Sequence, residues 1–180
     1  MDGPGGNKQQ EVANCPDEWI EFKDFCYKAN FTEVLRGDLR FPRYEKVTWN
    51  EGQQICKNNE NSILPVIYDK ESNEFIKSKF VYNGGTFKDS WIGASKMIPD
   101  SKTWVWQDGD GVDGILDSMF TAWHSKDFEN GDGCAYINGH GKWLSMNTAR
   151  CSSNHLNDVR YLVCQLRVRN NRDMSYDESV

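Results

Sequence analysis

The chain has 180 residues, which suits one domain with short tails. Its net charge of −6 argues against nucleic acids and anionic membranes as partners, because both repel an acidic surface. No apolar run approaches the roughly 20 residues that a membrane span needs, so we expect no membrane-spanning segment in this chain.

Six cysteines indicate the compartment of the protein: Cys15, Cys26, Cys56, Cys134, Cys151 and Cys164. An even number without a Cys-x-x-Cys pair fits zinc or redox chemistry poorly and disulfides in an oxidising compartment well. Composition alone leaves their pairing open. We expect an extracellular protein, secreted or the ectodomain of a membrane protein. Met1 to Asn14 lack the apolar stretch of a signal peptide, so we expect any signal or anchor outside this chain.

The first part of the chain predicts a leader, a hairpin and a loop. Residues 1–14 and 169–180 are polar and are expected to be disordered, so the predicted domain covers residues 15–168. Aromatic, β-prone residues around Lys23 and Asp24 predict a hairpin closed by a Cys15–Cys26 disulfide. The Asn30-Phe31-Thr32 sequon predicts Asn30 as a glycosylation site. The charged segment from Glu33 to Lys46 predicts a long loop.

Two helices are predicted next. The segment from Thr48 to Glu51 has the form of a capping box, in which the Thr hydroxyl and the Glu carboxylate satisfy free amides at a helix start. This helix is expected to end among Asn58 to Asn61. A second helix opens at Asp69, and Phe75, Ile76, Lys79 and Phe80 form a stripe along it.

From Ser90 onward, short apolar runs separated by Gly, Asp and Asn predict short strands. These runs are Trp91–Ala94, Thr103–Trp106, Cys134–Ile137 and Tyr161–Cys164. Between them lies an irregular stretch from Gln107 to Gly133. A loop of this length in a compact domain is usually functional, so we interpret it as a ligand-binding loop.

In order and spacing, these pieces resemble a C-type lectin-like domain of the long form over residues 15–168. The matching pieces are Cys15-Pro16-Asp17-Glu18-Trp19, Cys26-Tyr27, Trp49, Cys56, Glu74-Phe75-Ile76, Trp91-Ile92-Gly93-Ala94, Trp104 to Gly109, Trp123, Cys134, Gly141-Lys142-Trp143, Cys151 and Tyr161-Leu162-Val163-Cys164. No single piece decides the match, but their order makes it specific.

The resemblance implies an α+β fold with two helices packed on short antiparallel sheets, a long irregular loop and three disulfides. The implied pairs are Cys15–Cys26, Cys56–Cys164 and Cys134–Cys151. The resemblance also implies that Trp91, Trp104, Trp106 and Trp123 belong to the core rather than to a ligand platform.

Sugar-binding members of this family hold a calcium ion on the long loop, with oxygen ligands of which several are anionic. At the corresponding positions this chain has His124-Ser125-Lys126, Asp132 and Trp143-Leu144-Ser145, so Asp132 is the one carboxylate retained. The Lys126 ammonium beside Asp132 would repel calcium. At the auxiliary calcium positions Lys96 and Gly133 replace acids, whereas Asp100 and Asp127 remain. We therefore expect no calcium cofactor at the usual site.

The long loop also contains an aspartate cluster between Asp108 and Asp117. It resembles the start of an EF-hand loop, but Val112 stands at a ligand position and Asp113 stands where the turn glycine is needed. Two interpretations stay open, a solvated loop and a non-standard calcium site. The site would use Asp108, Asp110, Asp113 and Asp117.

These observations predict a recognition module, typical of receptors in cell recognition and innate immunity, that binds a protein or a glycan without the usual calcium ion. The predicted ligand contacts are His124, Lys126, Asp127, Asp132, Lys142 and Ser145. The alternative is a sugar-binding lectin with a displaced calcium ion.

A secreted hydrolase is a third hypothesis. The chain has no Gly-x-Ser-x-Gly or His-Glu-x-x-His motif, and no thiol is free if all cysteines pair, so we expect no enzyme.

Overall fold

The computed structural model describes residues 11–97, 103–107 and 120–169. The strands are β1 (Glu11–Val12), β2 (Ile20–Phe22), β3 (Phe25–Ala29), β4 (Phe31–Arg36), β5 (Leu39–Tyr44), β6 (Tyr82–Asn83), β7 (Thr86–Phe87), β8 (Ser90–Lys96), β9 (Val105–Trp106), β10 (Gly133–Ile137), β11 (Trp143–Met146) and β12 (Val163–Val168). The helices are α1 (Trp49–Asn58), α2 (Lys70–Ile76) and α3 (Lys126–Glu129), with a π-helical turn over Lys77–Val81 and a 3₁₀ turn over Thr148–Ser152. Two four-stranded sheets have the orders β1-β12-β3-β2 and β11-β10-β8-β9, and β4–β5 and β6–β7 form separate hairpins.

The first sheet brings the two ends of the described chain together. The predicted hairpin is confirmed, because β2 and β3 pair antiparallel on either side of Lys23 and Asp24. The sequence assigned Glu11 and Val12 to a disordered leader, but they form β1, which pairs parallel with the end of β12. The backbone N–H of Arg169 donates to the Val12 carbonyl at 2.6 Å. The folded region therefore extends beyond residues 15–168 at both ends.

The segment predicted as a long loop, Glu33 to Lys46, is mainly a hairpin. Its strands β4 and β5 pair antiparallel from Phe31 opposite Tyr44 to Arg36 opposite Leu39. Gly37 makes the turn possible, because its φ of +65° is a backbone conformation that residues with a Cβ rarely adopt. The prediction was wrong because the many charged side chains obscure the alternation of apolar and polar residues by which a strand is recognised. The apolar side chains of this hairpin are also exposed, so they do not form a buried face.

Both predicted helix starts are confirmed. The Thr48 hydroxyl accepts a hydrogen bond from the backbone N–H of Glu51 at 3.0 Å, and α1 ends at Asn58 as expected. The Asp69 carboxylate caps α2 by accepting the N–H of Ser72 at 2.7 Å. Burial opposes ionisation of Asp69, yet the hydrogen bonds from Ser72 and Lys23 hold its pKa below its usual range.

The core is rich in tryptophan, as predicted. Trp91, Trp104 and Trp143 are fully buried, and Trp106 is nearly so. Trp123 is half-buried, and its ring packs 4.8 Å from that of Trp104 and 5.6 Å from that of Trp143. The four buried rings are therefore not available as ligand platforms, and Trp123 packs against the same core.

The three disulfides are the pairs that the resemblance implied. Cys56–Cys164 joins α1 to β12, and Cys134–Cys151 joins β10 to the 3₁₀ turn. Cys15–Cys26 closes the β2–β3 hairpin region. No cysteine is left free.

Candidate ligand-binding site

The short helix α3 lies beside β11 because two side chains donate to its backbone. The Ser145 hydroxyl donates to the Phe128 carbonyl at 2.8 Å, and Trp104 Nε1 donates to the Glu129 carbonyl at 2.9 Å. A Cβ on Gly131 would overlap the Ser145 hydroxyl, so glycine is needed for this close approach. Sequence-predicted Ser145 therefore lies at the site, with its hydroxyl engaged in holding α3.

The segment before α3 continues the second sheet. The Trp143 N–H donates to the Ala122 carbonyl at 2.8 Å, and the His124 N–H donates to the Trp143 carbonyl at 2.9 Å. The imidazole of His124 lies edge-on to the Phe128 ring at 5.6 Å. The backbone N–H of the predicted contact His124 is thus held at the edge of the sheet, while the residue is exposed.

Three further predicted contacts, Lys126, Asp127 and Asp132, are exposed around α3. Together with His124 and Ser145 they form what we call the α3 surface. Its described charges have mixed sign and are open to solvent.

The sixth predicted contact, Lys142, lies elsewhere. It belongs to the turn between β10 and β11, where its N–H donates to Asn138 Oδ1 at 3.0 Å. In the β10–β11 ladder Ile137 faces Trp143 at this turn, whereas Cys134 faces Met146 at the other end, next to Asp132. The structure therefore separates Lys142 from Asp132 by the length of the hairpin.

The residues at the family's usual calcium position do not fit the ion. Calcium takes about six to eight oxygen ligands, several of them anionic. Here Ser145 donates its proton to a carbonyl, Leu144 has no oxygen in its side chain, and Lys126 brings a positive charge. In the part of the chain that the structure describes, no three His, Cys, Asp or Glu side chains are placed to share a metal ion.

Five aspartates of the alternative calcium sites belong to parts of the chain that the structure does not describe. Asp100, Asp108, Asp110, Asp113 and Asp117 lie outside the described residues. The proposed displaced calcium site therefore stays a hypothesis from the sequence.

The family of the chain follows from its similarity to known proteins. The model of the lectin C-type domain family matches residues 45–166, about two thirds of the chain. This chain belongs to the C-type lectin domain family. The prediction from the sequence is confirmed, and the match ends close to the last residues of β12.

Similar curated proteins include an integral membrane protein and a natural killer cells antigen. The chain is 27% identical over 109 residues to the pig NKG2-D type II integral membrane protein, covering 61% of this chain and 41% of that protein. It is 23% identical over 145 residues to human natural killer cells antigen CD94, covering 78% and 65% respectively. The chain thus spans less than two thirds of these relatives. Dromaiocalcin-1 of Dromaius novaehollandiae is 24% identical over 151 residues, or 82% of this chain and 90% of that protein.

Solved structures confirm the α+β C-type lectin fold. The C-type lectin domain of murine dendritic cell inhibitory receptor 2, in complex with an N-glycan, is 24% identical with a TM-score of 0.59 and covers 86% of this chain and 99% of that one. Human lithostathine is 18% identical with a TM-score of 0.60 and covers 93% and 96%. At these identities the similarity shows the fold alone.

Sequence analysis of this C-type lectin domain missed one set of cationic residues, of which Lys46 is exposed and Lys88 and Arg160 are half-buried. Lys46, Lys88 and Arg160 lie over aromatic rings on a surface that includes Tyr161. They come from three distant parts of the chain, and no local motif marks them. None of the described helices is long and apolar enough to cross a membrane.

Proposed function

We propose that this C-type lectin domain is an extracellular recognition module that binds a protein or glycan at the α3 surface, with no calcium ion at the family's usual position. The observation that carries the proposal is the hydrogen bond from the Ser145 hydroxyl to the Phe128 carbonyl. Sugar-binding members have a calcium ligand at the position of Ser145, whereas here the side chain makes an internal contact. Lys126, at the start of α3, adds a cation where calcium-binding members have an oxygen ligand.

The extracellular location is supported by the three disulfides, since such bonds persist in oxidising compartments and are rare in the cytosol. Two relatives are named as a type II integral membrane protein and as a natural killer cells antigen, which agrees with a receptor role. We expect Asn30 to carry a glycan in the secretory pathway. The residue is half-exposed where β3 passes into β4.

The proposed contact surface is preorganised. Ser145 and Trp104 hold α3 from below, so that Lys126 and Asp127 are presented on a fixed backbone. A ligand would then lose little affinity to ordering of the protein. We propose no catalytic role, because every cysteine is paired and none of the relatives described above is named as an enzyme.

A glycan array with and without a calcium chelator, together with thermal unfolding in millimolar calcium, tests the calcium part of the proposal. We expect identical array signals under both conditions and an unchanged melting temperature, because an ion that does not bind the native state does not stabilise it. Binding that the chelator abolishes would instead support the displaced calcium site at Asp108, Asp110, Asp113 and Asp117.

The location of the surface is tested with the strongest ligand from the glycan array or from an equivalent array of extracellular proteins. The double variant Lys126→Ala with Asp127→Ala removes two exposed side chains and should weaken binding about tenfold. The matched control, Lys70→Ala with Glu71→Ala at the start of α2, removes the same pair of charges elsewhere and should leave binding unchanged. Equal affinity of both double variants and the wild type would exclude the α3 surface.

A further inference from the structure

A second surface lies between the β4–β5 hairpin, the β6–β7 hairpin and the start of β8. It consists of two neighbouring depressions that share Tyr161, with volumes of about 140 and 560 Å³. The smaller is lined by Tyr44, Lys79, Lys88 and others, and the larger by Lys46, Phe87, Asp89, Leu156 and Arg160 among others. We call this pair of depressions the Tyr161 groove. None of the residues of the α3 surface lines it.

Cations of this groove lie on aromatic rings. The Lys46 ammonium is 5.4 Å from the centre of the Tyr161 ring, and the Lys88 ammonium is 4.8 Å from that of Tyr44. The Arg160 guanidinium lies 4.3 Å from the centre of the Tyr136 ring. These contacts hold the positive charges in place without neutralising them.

The groove is positively charged although the chain as a whole is acidic. Among the described residues, Lys46, Lys79, Lys88 and Arg160 form no salt bridge. Arg150 also lines the larger depression, but Asp158 neutralises it at 2.6 Å. Asp89 is the one carboxylate among the described lining residues. Its burial raises its pKa, against the opposing influence of Arg160, the Gly139 N–H, Lys46 and His140.

The guanidinium of Arg160 is held by the backbone and still has a free donor. Its Nη1 donates to the carbonyls of Asn157 and Val159, each at 2.8 Å. Its Nε is buried and has no acceptor among the described residues. Buried polar groups normally have partners, so the hydrogen-bonding capacity of this guanidinium is not fully used by the described residues.

Large apolar side chains are exposed beside these cations. Leu156 is 88% exposed and Phe87 is 56% exposed, and both line the larger depression. The Phe87 ring is fixed, since it stacks on Tyr82 at 4.6 Å and lies against Gly139 so closely that a Cβ there would overlap it. Exposed apolar groups next to arginine and tyrosine are typical of protein interfaces.

We propose that the Tyr161 groove is a docking surface for a protein segment that carries both acidic and apolar side chains. The acidic side chains pair with Lys46, Lys88 and Arg160, and the apolar ones cover Phe87 and Leu156. A sulfated polysaccharide would match the cations, but it has no group that gains from contact with Leu156. The combination of charge and apolar exposure therefore favours a protein partner.

The test uses two synthetic peptides with the full chain. One alternates glutamate with leucine, and the other has glutamine in place of every glutamate. We expect the glutamate peptide alone to bind, with an affinity that falls as salt is raised. The double variant Lys46→Gln with Lys88→Gln should weaken binding about tenfold. The control double variant Lys57→Gln with Lys70→Gln makes the same change in net charge outside the groove and should bind like the wild type.

A third variant separates the two possible classes of partner. Leu156→Ser should weaken the glutamate peptide severalfold and leave binding of heparin, used as a sulfated polysaccharide, unchanged. Failure of the glutamate peptide to bind the wild type, or equal weakening by both lysine double variants, would overturn the proposal. Heparin binding that needs Lys46 and Lys88, without any peptide binding, would overturn it in favour of a polysaccharide site.

Discussion

The α3 surface and the Tyr161 groove use their polar side chains in opposite ways. At α3, the Ser145 hydroxyl and Trp104 Nε1 donate hydrogen bonds to backbone carbonyls of the protein itself. In the groove, Lys46, Lys88 and Arg160 lie on aromatic rings and, among the described residues, keep their charges unpaired. A position that the resemblance assigns to a calcium ligand is thus used for an internal contact, whereas unpaired charge remains at a place where no motif predicts it.

The fold and the candidate binding surfaces are therefore determined by different residues. The disulfides and the buried tryptophans define the fold, which supports both surfaces. Whether a surface is free to bind depends on whether its donors and charges are already satisfied within the chain.

The largest effect is expected at Gly133, which joins Asp132 of the α3 surface to β10. Its φ is +100°, and a Cβ would overlap the Met146 carbonyl. Gly133→Ala should lower the free energy of unfolding by about 2 to 5 kcal/mol, measured by urea denaturation. The control is Gly37→Ala in the β4–β5 turn, with φ +65° but open space around it, which should cost about 1 kcal/mol. Equal losses would mean that packing at Gly133 is unimportant.

A smaller loss is expected when the internal hydrogen bond of the α3 surface is removed. Ser145→Ala leaves the Phe128 carbonyl without its side-chain donor and should lower the free energy of unfolding by about 1 kcal/mol. Hydrogen exchange of the α3 amides should accelerate as well. Ser152→Ala, an exposed serine of the 3₁₀ turn, serves as the control and should change neither quantity. An unaltered exchange rate in the Ser145 variant would show that α3 is held by other contacts.

A pH-dependent effect is expected at the edge of the groove. Hydrogen bonds from Arg150 and Ser153 hold the pKa of Asp158 below its usual range. The resulting stabilisation is present above the unfolded-state pKa of about 3.9 and is lost as the pH falls through the lower folded-state value. The melting temperature of the wild type should therefore fall below about pH 4 more steeply than that of Asp158→Asn. Parallel curves for the two proteins would contradict this assignment.

The smallest effect on stability is expected for the lysines of the groove. Lys88→Gln removes the ammonium from the Tyr44 ring and should cost only about 0.5 kcal/mol, because cation–π contacts at exposed sites are weak. Lys57→Gln at the end of α1 should cost nothing measurable by the same denaturation assay. A loss of several kcal/mol at Lys88 would mean that the charge supports the fold and is not kept for a partner.

Much of the fold could be predicted because local residues determine it. Thr48 and Asp69 mark helix starts through contacts within three residues. The order and spacing of many short motifs identify the family, and the resemblance to that family implies the disulfide pairs. The β4–β5 hairpin could not be predicted, since Glu33, Arg36 and Arg40 interrupt the apolar pattern by which strands are identified.

The sites were predictable only in part, for a similar reason. The resemblance to the family singles out His124, Lys126 and Asp132 as candidate contacts, but the hydrogen bond from Ser145 to Phe128 joins residues 17 apart and has no mark in the sequence. The Tyr161 groove depends on contacts between more distant segments, such as Lys46 with Tyr161. Such pairings arise from tertiary packing, which periodicity and motifs do not encode.

The β4–β5 hairpin has a consequence for how this domain can vary. Its two strands pack mainly against each other, and its ends meet where Phe31 pairs with Tyr44. The outer part of the hairpin, around Arg36 and Leu39, can therefore change in length and sequence with little effect on the core. It is a natural position for grafting a foreign loop, and a place where related domains would be free to diverge.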